Sequence, residues 1–462
     1  MKTDNVIEKA TYHLNNWAEH ALGCSLGRYM FILASLMVYG YYKGIISNEY
    51  ESSKVIIRCQ RALRATGNHR IPFFIEKIGN KILQKCLTEN VLFIESYRSS
   101  KEGKKYYDEF SKYGIDYMCR IKYPRKPEIP GRQGDLIVLK PNMSRNEKGV
   151  LLLQYTESIK KMVALYEIGK FLKKYILVVE PSWWGYEDTI LFLLFGHGGT
   201  IIIEAQYRPD FKFIDSIKND VYAITMGAGD WSDPGLFTYN PLIAKEYDIV
   251  MVANWGRIKR HSLLFQALAK AKSEIKLSVA LIGFPTLYRT SRDVVGEARH
   301  YGVEDQVDIF ESISAHEVST IIQKAKTNVL LTKREGANRG IYEAFFCNVP
   351  VVLVSSNKGV NREHINEHTG IVSSDLDLWK NLIWMVEHYQ MFSPRKWANE
   401  NTGYINSTKK LNAILRNIAL KKGEEWTQDI FAKKNVPNAI YVNDSERKTA
   451  EEEMNVLKEY LR

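Results

Sequence analysis

The sequence predicts an α/β protein with two Rossmann-like domains, a helical N-terminal region and a C-terminal helical tail. Short apolar runs alternate with helical patterns through the middle of the chain. Continuous apolar runs of this kind indicate strands covered on both faces, as in a parallel sheet. The alternation occurs in two successive series that meet near residue 245, in a chain of 462 residues. We therefore expect a helical region at 1–88, Rossmann-like domains at 89–245 and 246–400, and the tail at 401–462.

The composition is that of a globular protein with an excess of positive charge. Hydrophobic residues make up 45% of the chain and charged residues 25%, and the formal net charge is +11. Such an excess favours polyanionic partners, namely nucleotide phosphates, an anionic membrane surface or nucleic acid. Nucleic acid is the weakest of the three, because the basic residues are not interleaved with a recognisable binding module.

The N-terminal region contains one strongly apolar segment, the charge-free run at 29–42. It falls short of the roughly 20 residues that a membrane-spanning helix needs. We predict a buried helix here, and an interfacial helix is the alternative. Basic residues between 54 and 85 would then hold the protein against anionic lipid.

The cysteines and the N-terminus predict a cytoplasmic protein, with peripheral membrane association as an open alternative. The five cysteines are odd in number, scattered and without a C-x-x-C spacing, which is typical of a reducing compartment. The first residues are polar and helical in pattern, and they do not resemble a signal peptide.

The first alternating series predicts six strands and one long helical segment. The strands are expected at 91–95, 136–139, 150–153, 176–179, 200–204 and 221–226. The helical segment is expected at 158–174. The glycine-rich loop at 227–235 has the composition of a hinge or a cleft edge.

The second series predicts a further set of strands and helices. The strands are expected at 249–253, 277–282, 307–310, 329–331, 351–354 and 371–372, and the helices from 262, at 294–300, at 316–325 and at 341–346. Two such domains place a ligand at the carboxyl ends of their strands, facing the cleft. From residue 375 the pattern is helical again, 435–442 is predicted to be irregular, and 445–462 is predicted to be a charged amphipathic helix.

Residues 328–350 carry the strongest functional signal. A buried strand is followed by a glycine-bearing loop and a helix start, with Glu335 on the loop and Glu343 in the helix. A helix N-terminus has unpaired N–H donors and a partial positive charge, so it attracts phosphate or sugar oxygens. These residues form a plausible site for a sugar nucleotide. The alternative is an ordinary strand-loop-helix unit with Glu343 on a solvated face.

This segment resembles the E-x7-E motif of family 4 (group 1 type) glycosyltransferases, which are retaining enzymes of the GT-B fold. A second segment, Gly256-Arg257-Ile258-Lys259, follows the first strand of the second series and resembles the G-R…K segment of the same family. The loop between Arg257 and Lys259 is shorter than the family pattern, so Arg260 is an alternative to Arg257. A basic loop at a helix start is the alternative without a functional role.

The resemblance implies a role for each matching residue. Glu335 contacts the donor sugar near the reaction centre, and Glu343 binds the ribose hydroxyls. Arg257 and Lys259 neutralise the diphosphate, so that no metal is needed. Gly283 and Phe284 lie near the base. The backbone amides that hold sugar and diphosphate oxygens belong to Gly336, Ala337, Asn338 and Arg339.

The first domain offers weaker candidates. The resemblance also implies a His and a glycine-containing loop in this domain. His197, within the glycine-rich 195–199, is the candidate for that catalytic residue, which would contact the sugar, and a simple turn is the alternative. Glu180, Glu204 and Asp230 stand at predicted strand ends and are candidates for binding acceptor hydroxyls.

Three other patterns have weaker functional readings. Residues 364–368 fit H-x-x-E-H, but a glycine follows at once and no third zinc ligand is evident. Asp375 and Asp377 imitate a metal-binding D-x-D, and a helix N-cap is the better interpretation. Gly227 and Gly229 lack the third glycine of a dinucleotide fingerprint, so an NAD site is not expected.

The resemblance covers 248–372 well and 90–245 in topology only. It implies a metal-independent hexosyltransferase that moves a sugar, with retention, from a nucleotide sugar to a glycan or lipid-linked glycan, in cell-surface polysaccharide synthesis. The alternatives are a GT-B epimerase of nucleotide sugars, which would need additional acid and base residues, and an inactive GT-B scaffold or binding subunit.

Overall fold

The computed structural model describes residues 90–113, 136–181, 189–218, 220–335, 338–436 and 438–462. The apolar run at 29–42, the basic region after it and four of the five cysteines lie outside these residues. The fifth, Cys347, is a buried free thiol. No helix in the described ranges is long and apolar enough to cross a membrane.

The first domain contains a five-stranded sheet in the order β1-β2-β3-β4-β5. The strands are β1 (Leu136–Lys140), β2 (Gly149–Gln154), β3 (Tyr175–Glu180), β4 (Ile201–Glu204) and β5 (Val221–Ile224). Strands β2 to β5 are parallel, as predicted. The parallel prediction was wrong for β1, which pairs with β2 in the antiparallel direction.

Six helices of the described residues accompany this sheet. They are α1 (Asn90–Ser99), α2 (Lys101–Tyr113), α3 (Tyr155–Leu165), α4 (Ile168–Phe171), α5 (Thr189–Phe192) and α6 (Arg208–Asp215). The helical segment predicted at 158–174 is thus divided between α3 and α4.

The strand predicted at 91–95 is wrong, because these residues lie within α1. Ile94 and Tyr97 are both buried, which is the three-residue spacing of one helix face. The Tyr97 hydroxyl donates a hydrogen bond to the Lys160 carbonyl, 3.0 Å away on α3. A short apolar run alone does not distinguish a buried helix from a buried strand.

The second domain contains a fully parallel six-stranded sheet in the order β11-β10-β9-β6-β7-β8. Its strands are β6 (Tyr247–Val252), β7 (Val279–Gly283), β8 (Val307–Glu311), β9 (Ala325–Leu330), β10 (Val351–Val354) and β11 (Gly370–Ser373). Its helices are α7 (His261–Ala271), α8 (Ser291–His300), α9 (Ala315–Gln323), α10 (Gly340–Phe346) and α11 (Leu378–His388). Every strand predicted for this half is confirmed.

The last part of the chain consists mainly of helices and lies largely against the first domain. It comprises α12 (Pro394–Asn401), α13 (Gly403–Lys421), β12 (Lys433–Val436), β13 (Asn438–Tyr441) and α14 (Asp444–Val456). Leu411, Tyr441 and Leu457 belong to the hydrophobic core of the first sheet. The backbone N–H of Asn142, just after β1, donates to the Glu453 carboxylate of α14 at 2.9 Å.

The irregular structure predicted at 435–442 is wrong, because β12 and β13 form an antiparallel hairpin. The inward positions of β12 are filled by Lys433 and Asn435, which are buried. Strand prediction expects apolar residues at such positions, so the pattern concealed the strand.

Candidate functional site

Lys259 and Glu335 meet at the carboxyl edge of the second sheet. Lys259 follows β6 and Glu335 follows β9, and these two strands are neighbours in the sheet. The Lys259 Nζ lies 2.6 Å from Glu335 Oε1. Their side chains are only 19% and 10% exposed. Two residues 76 positions apart thus form a largely buried ion pair at the edge where the sequence predicts a ligand.

The backbone of Glu335 is held by the segment after β10. Its N–H donates to the Lys358 carbonyl at 2.8 Å, and the Lys358 N–H donates to the Lys333 carbonyl at 2.7 Å. The Thr332 hydroxyl donates to Glu335 Oε1 at 2.8 Å. Gly359 has a φ of +114°, and a Cβ on it would lie 1.6 Å from the Glu335 carbonyl oxygen. Glu335 is therefore fixed by both its backbone and its carboxylate.

Glu343 occupies the first turn of α10 and is 9% exposed. Burial raises the pKa of this carboxyl, and the positive charge of Arg339 opposes the rise. Asn338 Oδ1 accepts a hydrogen bond of 2.9 Å from the Ile341 N–H at the start of the helix. Gly336 and Ala337 lie outside the described residues.

The two arginines after β6 have different surroundings. Arg257 is exposed and makes no ion pair with any described residue. Arg260, the alternative candidate, is paired with Asp375 at 2.6 Å and donates to the Leu331 carbonyl at 3.1 Å. Its guanidinium thus holds loops together, so Arg257 is the better candidate. Of the two aspartates for which a helix N-cap was predicted, Asp377 stands at the N-cap position of α11, without a side-chain cap hydrogen bond.

Gly283 and Phe284 are adjacent residues with different surroundings. A Cβ on Gly283 would lie 2.3 Å from the Ala253 carbonyl and 2.7 Å from the Trp255 ring, so this position needs glycine for packing. Phe284 is 55% exposed at the same edge of the sheet, where the sequence predicts a ligand.

His197 is not at the site. It precedes β4, so it lies at the amino edge of the first sheet, whereas the cleft faces the carboxyl edge. Its Nε2 is 3.0 Å from the Leu193 carbonyl, and burial lowers the pKa of the imidazole. The prediction of a catalytic role rested on the resemblance, whereas the position of His197 fits the alternative, a turn before the strand.

The three acidic candidates of the first domain lie at its carboxyl edge, as predicted, but they are buried. The exposed fractions of Glu180, Glu204 and Asp230 are 3%, 0% and 4%. Asp230 accepts hydrogen bonds from Gln206 Nε2 at 2.7 Å and from the Thr402 hydroxyl at 3.0 Å. None of the three presents an exposed oxygen to an acceptor hydroxyl, which corrects the prediction of direct contact.

Tyr342, immediately before Glu343, joins the two domains. Its hydroxyl is 2.7 Å from His364 Nδ1 and accepts a hydrogen bond of 3.2 Å from Gln206 Nε2, just after β4. Its ring packs on Gly229 of the first domain, where a Cβ would lie 2.3 Å from Cδ2 of the ring. Sequence reasoning missed this contact, although the glycines at 227 and 229 had suggested a cleft edge.

The zinc and D-x-D patterns do not assemble a metal site in the described part of the chain. His364 belongs to a short 3₁₀ helix and contacts Tyr342. Among the residues that the structure describes, no group of three or more His, Cys, Asp or Glu could hold a metal ion.

Residues 239–387 match the family model of glycosyl transferases group 1. The match spans all six strands of the second sheet, so the second domain is similar to glycosyl transferases group 1 over its whole sheet. The match contains Lys259, Glu335 and Glu343, and it begins before β6 and ends within α11. The GT-B fold consists of two α/β domains, and the chain has two sheets with parallel strands, one in each half.

The chain is also similar to solved structures at low sequence identity. One is HepE from Anabaena in complex with UDP and glucose, at 15% identity and a TM-score of 0.46, covering 58% of this chain and 78% of that one. Another is sucrose-phosphate synthase from Thermosynechococcus elongatus, at 14% identity and a TM-score of 0.48, covering 73% of this chain and 80% of that one. No curated protein sequence matches the chain.

The contact between Tyr342 and Gly229 predicts that Gly229→Ala destabilises the protein by about 1–3 kcal/mol, because the added methyl group overpacks a filled interdomain contact. Chemical denaturation measures the loss. In the double variant with Tyr342→Ala the clash with the ring is relieved while the contact with the Asn338 carbonyl oxygen, 2.6 Å from the added Cβ, remains, so the two effects should be non-additive. Additive effects would show that the two residues are not in contact.

Proposed function

We propose that this chain is a retaining glycosyltransferase that moves a hexosyl group from a nucleotide sugar to a glycan or lipid-linked glycan, in cell-surface polysaccharide synthesis. The observation that carries the proposal is the Lys259–Glu335 pair at adjacent strand ends, inside the segment that matches glycosyl transferases group 1. The donor is the only ligand that the chemistry requires besides the acceptor.

Lys259 is the group that receives the diphosphate. In a glycosyl transfer the departing nucleotide gains negative charge at its terminal phosphate, and a fixed cation at that point stabilises the transition state. The ammonium of Lys259 is largely removed from water and held at 2.6 Å by one carboxylate. A phosphate oxygen competes with Glu335 for this cation, and the exposed guanidinium of Arg257 supplies a second positive charge at the rim.

Glu335 becomes available to the sugar when the diphosphate pairs with Lys259. Its carboxylate is kept in place by the Thr332 hydroxyl and by the backbone bonds to Lys358, so it accepts a hydrogen bond from a donor sugar hydroxyl without reorganising. Glu343, one turn into α10, takes the ribose hydroxyls. Because it is buried, its hydrogen bonds to the ribose are stronger than they would be in water.

Retention follows from attack on the same face of the sugar from which the phosphate departs. The acceptor oxygen forms the new bond to the anomeric carbon as the bond to the phosphate oxygen breaks, and that phosphate oxygen takes the acceptor's proton. The charge that develops on the phosphate is offset by Lys259 and Arg257, which makes a metal ion unnecessary in this mechanism.

Thermal unfolding in the presence of a panel of nucleotide sugars tests the proposal. A ligand that binds only the native state raises the melting temperature, and at 100 times its Kd the stabilisation is about 2.7 kcal/mol. We expect at least one nucleotide sugar to stabilise the chain, and we expect Lys259→Ala to abolish that shift. Lys326→Ala is the matched control, because Lys326 pairs with Asp248 at 2.8 Å at the opposite, amino edge of the same sheet.

The outcomes of the panel separate the alternatives. Stabilisation of the wild type that persists in Lys259→Ala, or no stabilisation by any nucleotide sugar, would contradict the proposal. Conversion of the donor to an epimer without an acceptor would identify an epimerase. Donor binding without transfer to any glycan acceptor would identify a binding subunit.

A further inference from the structure

The first sheet ends in a buried row of polar side chains. Gln154, Glu180 and Glu204 are the last residues of β2, β3 and β4. Gln154 pairs in register with Glu180. Val179 pairs with Ile203, so the residues that follow them, Glu180 and Glu204, also lie side by side. All three are less than 5% exposed, and Gln154 Nε2 donates to Glu180 Oε1 at 3.1 Å. Adjacent parallel strands thus place two carboxyl groups side by side away from water.

Glu180 and Glu204 are thus neighbouring carboxyl groups that are both shielded from water. Two carboxylates in one buried site repel each other when both are ionised, so a proton on one of them is favoured. Burial raises the pKa of both groups, and for Glu204 the neighbouring charge of Glu180 raises it further. Two adjacent buried carboxyl groups of this kind release their protons in separate steps.

The C-terminal hairpin brings one cation to this pair. Lys433 of β12 is fully buried, with its Nζ 4.1 Å from the centre of the Trp231 ring and 3.4 Å from Asn435 Oδ1. Its charge interacts with both Glu180 and Glu204 and lowers the pKa of each. One buried ammonium balances one negative charge, so the pair of carboxyl groups is balanced when it holds a single proton.

Two more charged groups face the pair. Arg339, just before α10 of the second domain, interacts favourably with the charge of Glu180 and unfavourably with that of Lys433. Asp230 adds negative charge beside Glu204. Arg339 also interacts with Glu343. The charge of Arg339 therefore acts on a carboxyl group of the first domain and on Glu343, whose N–H donates to the Arg339 carbonyl at 2.9 Å one helical turn further along the chain.

We propose that Glu180 and Glu204 share one proton and that, balanced by Lys433, they present a single negative charge that positions Arg339 beside Glu343 across the cleft. Lys433 is in this account a positioning residue that the tail contributes to the site. The sharing of the proton stands on the first domain and the tail alone. The consequence for the donor rests on the proposed function.

Melting temperatures between about pH 5.5 and about pH 8.5 test the shared proton without any ligand. A carboxyl group whose pKa is raised by folding binds more protons in the native state, so its contribution to stability falls as the pH rises. Lys433→Met removes the cation that balances one ionised carboxylate. The melting temperature of this variant should therefore lie below that of the wild type by at least twice as much at about pH 8.5 as at about pH 5.5. Lys434→Met is the control, because Lys434 lies on the same strand and pairs with Asp233 at 2.7 Å.

Glu204→Gln is the second variant, and it keeps one carboxylate, Glu180, to balance the charge of Lys433. The amide donates a permanent hydrogen bond to Glu180, so this variant should fold and its melting temperature should depend less on pH than that of the wild type. A pH-independent effect of Lys433→Met, or an unchanged pH dependence in Glu204→Gln, would overturn the shared proton. If Lys433→Met does not fold, Glu204→Gln decides the question alone.

Donor affinity tests the positioning of Arg339. With the nucleotide sugar that stabilises the wild type most, we expect Lys433→Met to weaken binding roughly fivefold or more in calorimetry at about pH 8, and Lys434→Met to leave it unchanged. Equal affinities would overturn the link to the donor. If no nucleotide sugar binds the wild type, the proposed function fails, and the melting temperatures still test the proton pair.

Discussion

Glu335→Gln is expected to lower the rate of sugar transfer by on the order of 10³-fold while the protein remains folded, because the variant removes a charge that is aligned with the reaction centre. The amide keeps the size of the side chain and still accepts a hydrogen bond from Thr332. It loses the negative charge that pairs with Lys259 at 2.6 Å and that we propose to contact the donor sugar. Transfer assays at saturating donor, together with melting curves, measure the two properties separately.

The same substitution at Glu367 provides the control. Glu367 belongs to the second domain, and its side chain is 81% exposed. Glu367→Gln should therefore transfer sugar at the wild-type rate. Wild-type turnover by Glu335→Gln would remove the catalytic assignment, and a comparable loss in both variants would show that the effect is not specific to the site.

Gly359→Ala is expected to reduce transfer strongly and to cost about 1–3 kcal/mol of stability, because alanine is strained at this backbone conformation. The φ of Gly359 is +114°, and the added Cβ would lie 1.6 Å from the Glu335 carbonyl oxygen. The loop that carries Glu335 has to move to accept the methyl group. We therefore expect the loss of kcat to exceed what the loss of stability alone explains.

Gly296→Ala is the matched control for this prediction. Gly296 lies within α8, and no heavy atom is within 4 Å of the position that its Cβ would take. Alanine should stabilise this helix by about 0.5–1 kcal/mol and leave transfer unchanged. Unaltered activity of Gly359→Ala at full folding would mean that Glu335 does not depend on the segment after β10.

The sequence predicted the strands of the second domain well, because the signals there are local and repeated. Each buried strand is a continuous apolar run, and the carboxyl ends of parallel strands meet at one edge. The positions of Lys259 and Glu335 after neighbouring strands follow from that rule. What the sequence did not predict is their direct pairing, since it depends on the strand order, which places β6 beside β9.

The errors occurred where a residue's environment is created by distant parts of the chain. Residues 91–95 lie in a helix whose Ile94 and Tyr97 are buried on one face, which the run itself does not reveal. Lys433 is buried because the tail returns to the carboxyl edge of the first sheet, where two glutamates interact with its charge. Histidine is a common active-site residue, but His197 precedes β4 and therefore lies at the amino edge of the first sheet, opposite the carboxyl edge where the sequence predicts a ligand.

A crystal structure with the nucleotide sugar that stabilises the protein most tests the central claim directly. The account predicts a diphosphate oxygen within ion-pair distance of Lys259 Nζ, the sugar beside Glu335 and the ribose on Glu343. A diphosphate bound elsewhere, with the 2.6 Å pair of Lys259 and Glu335 left intact, would contradict it.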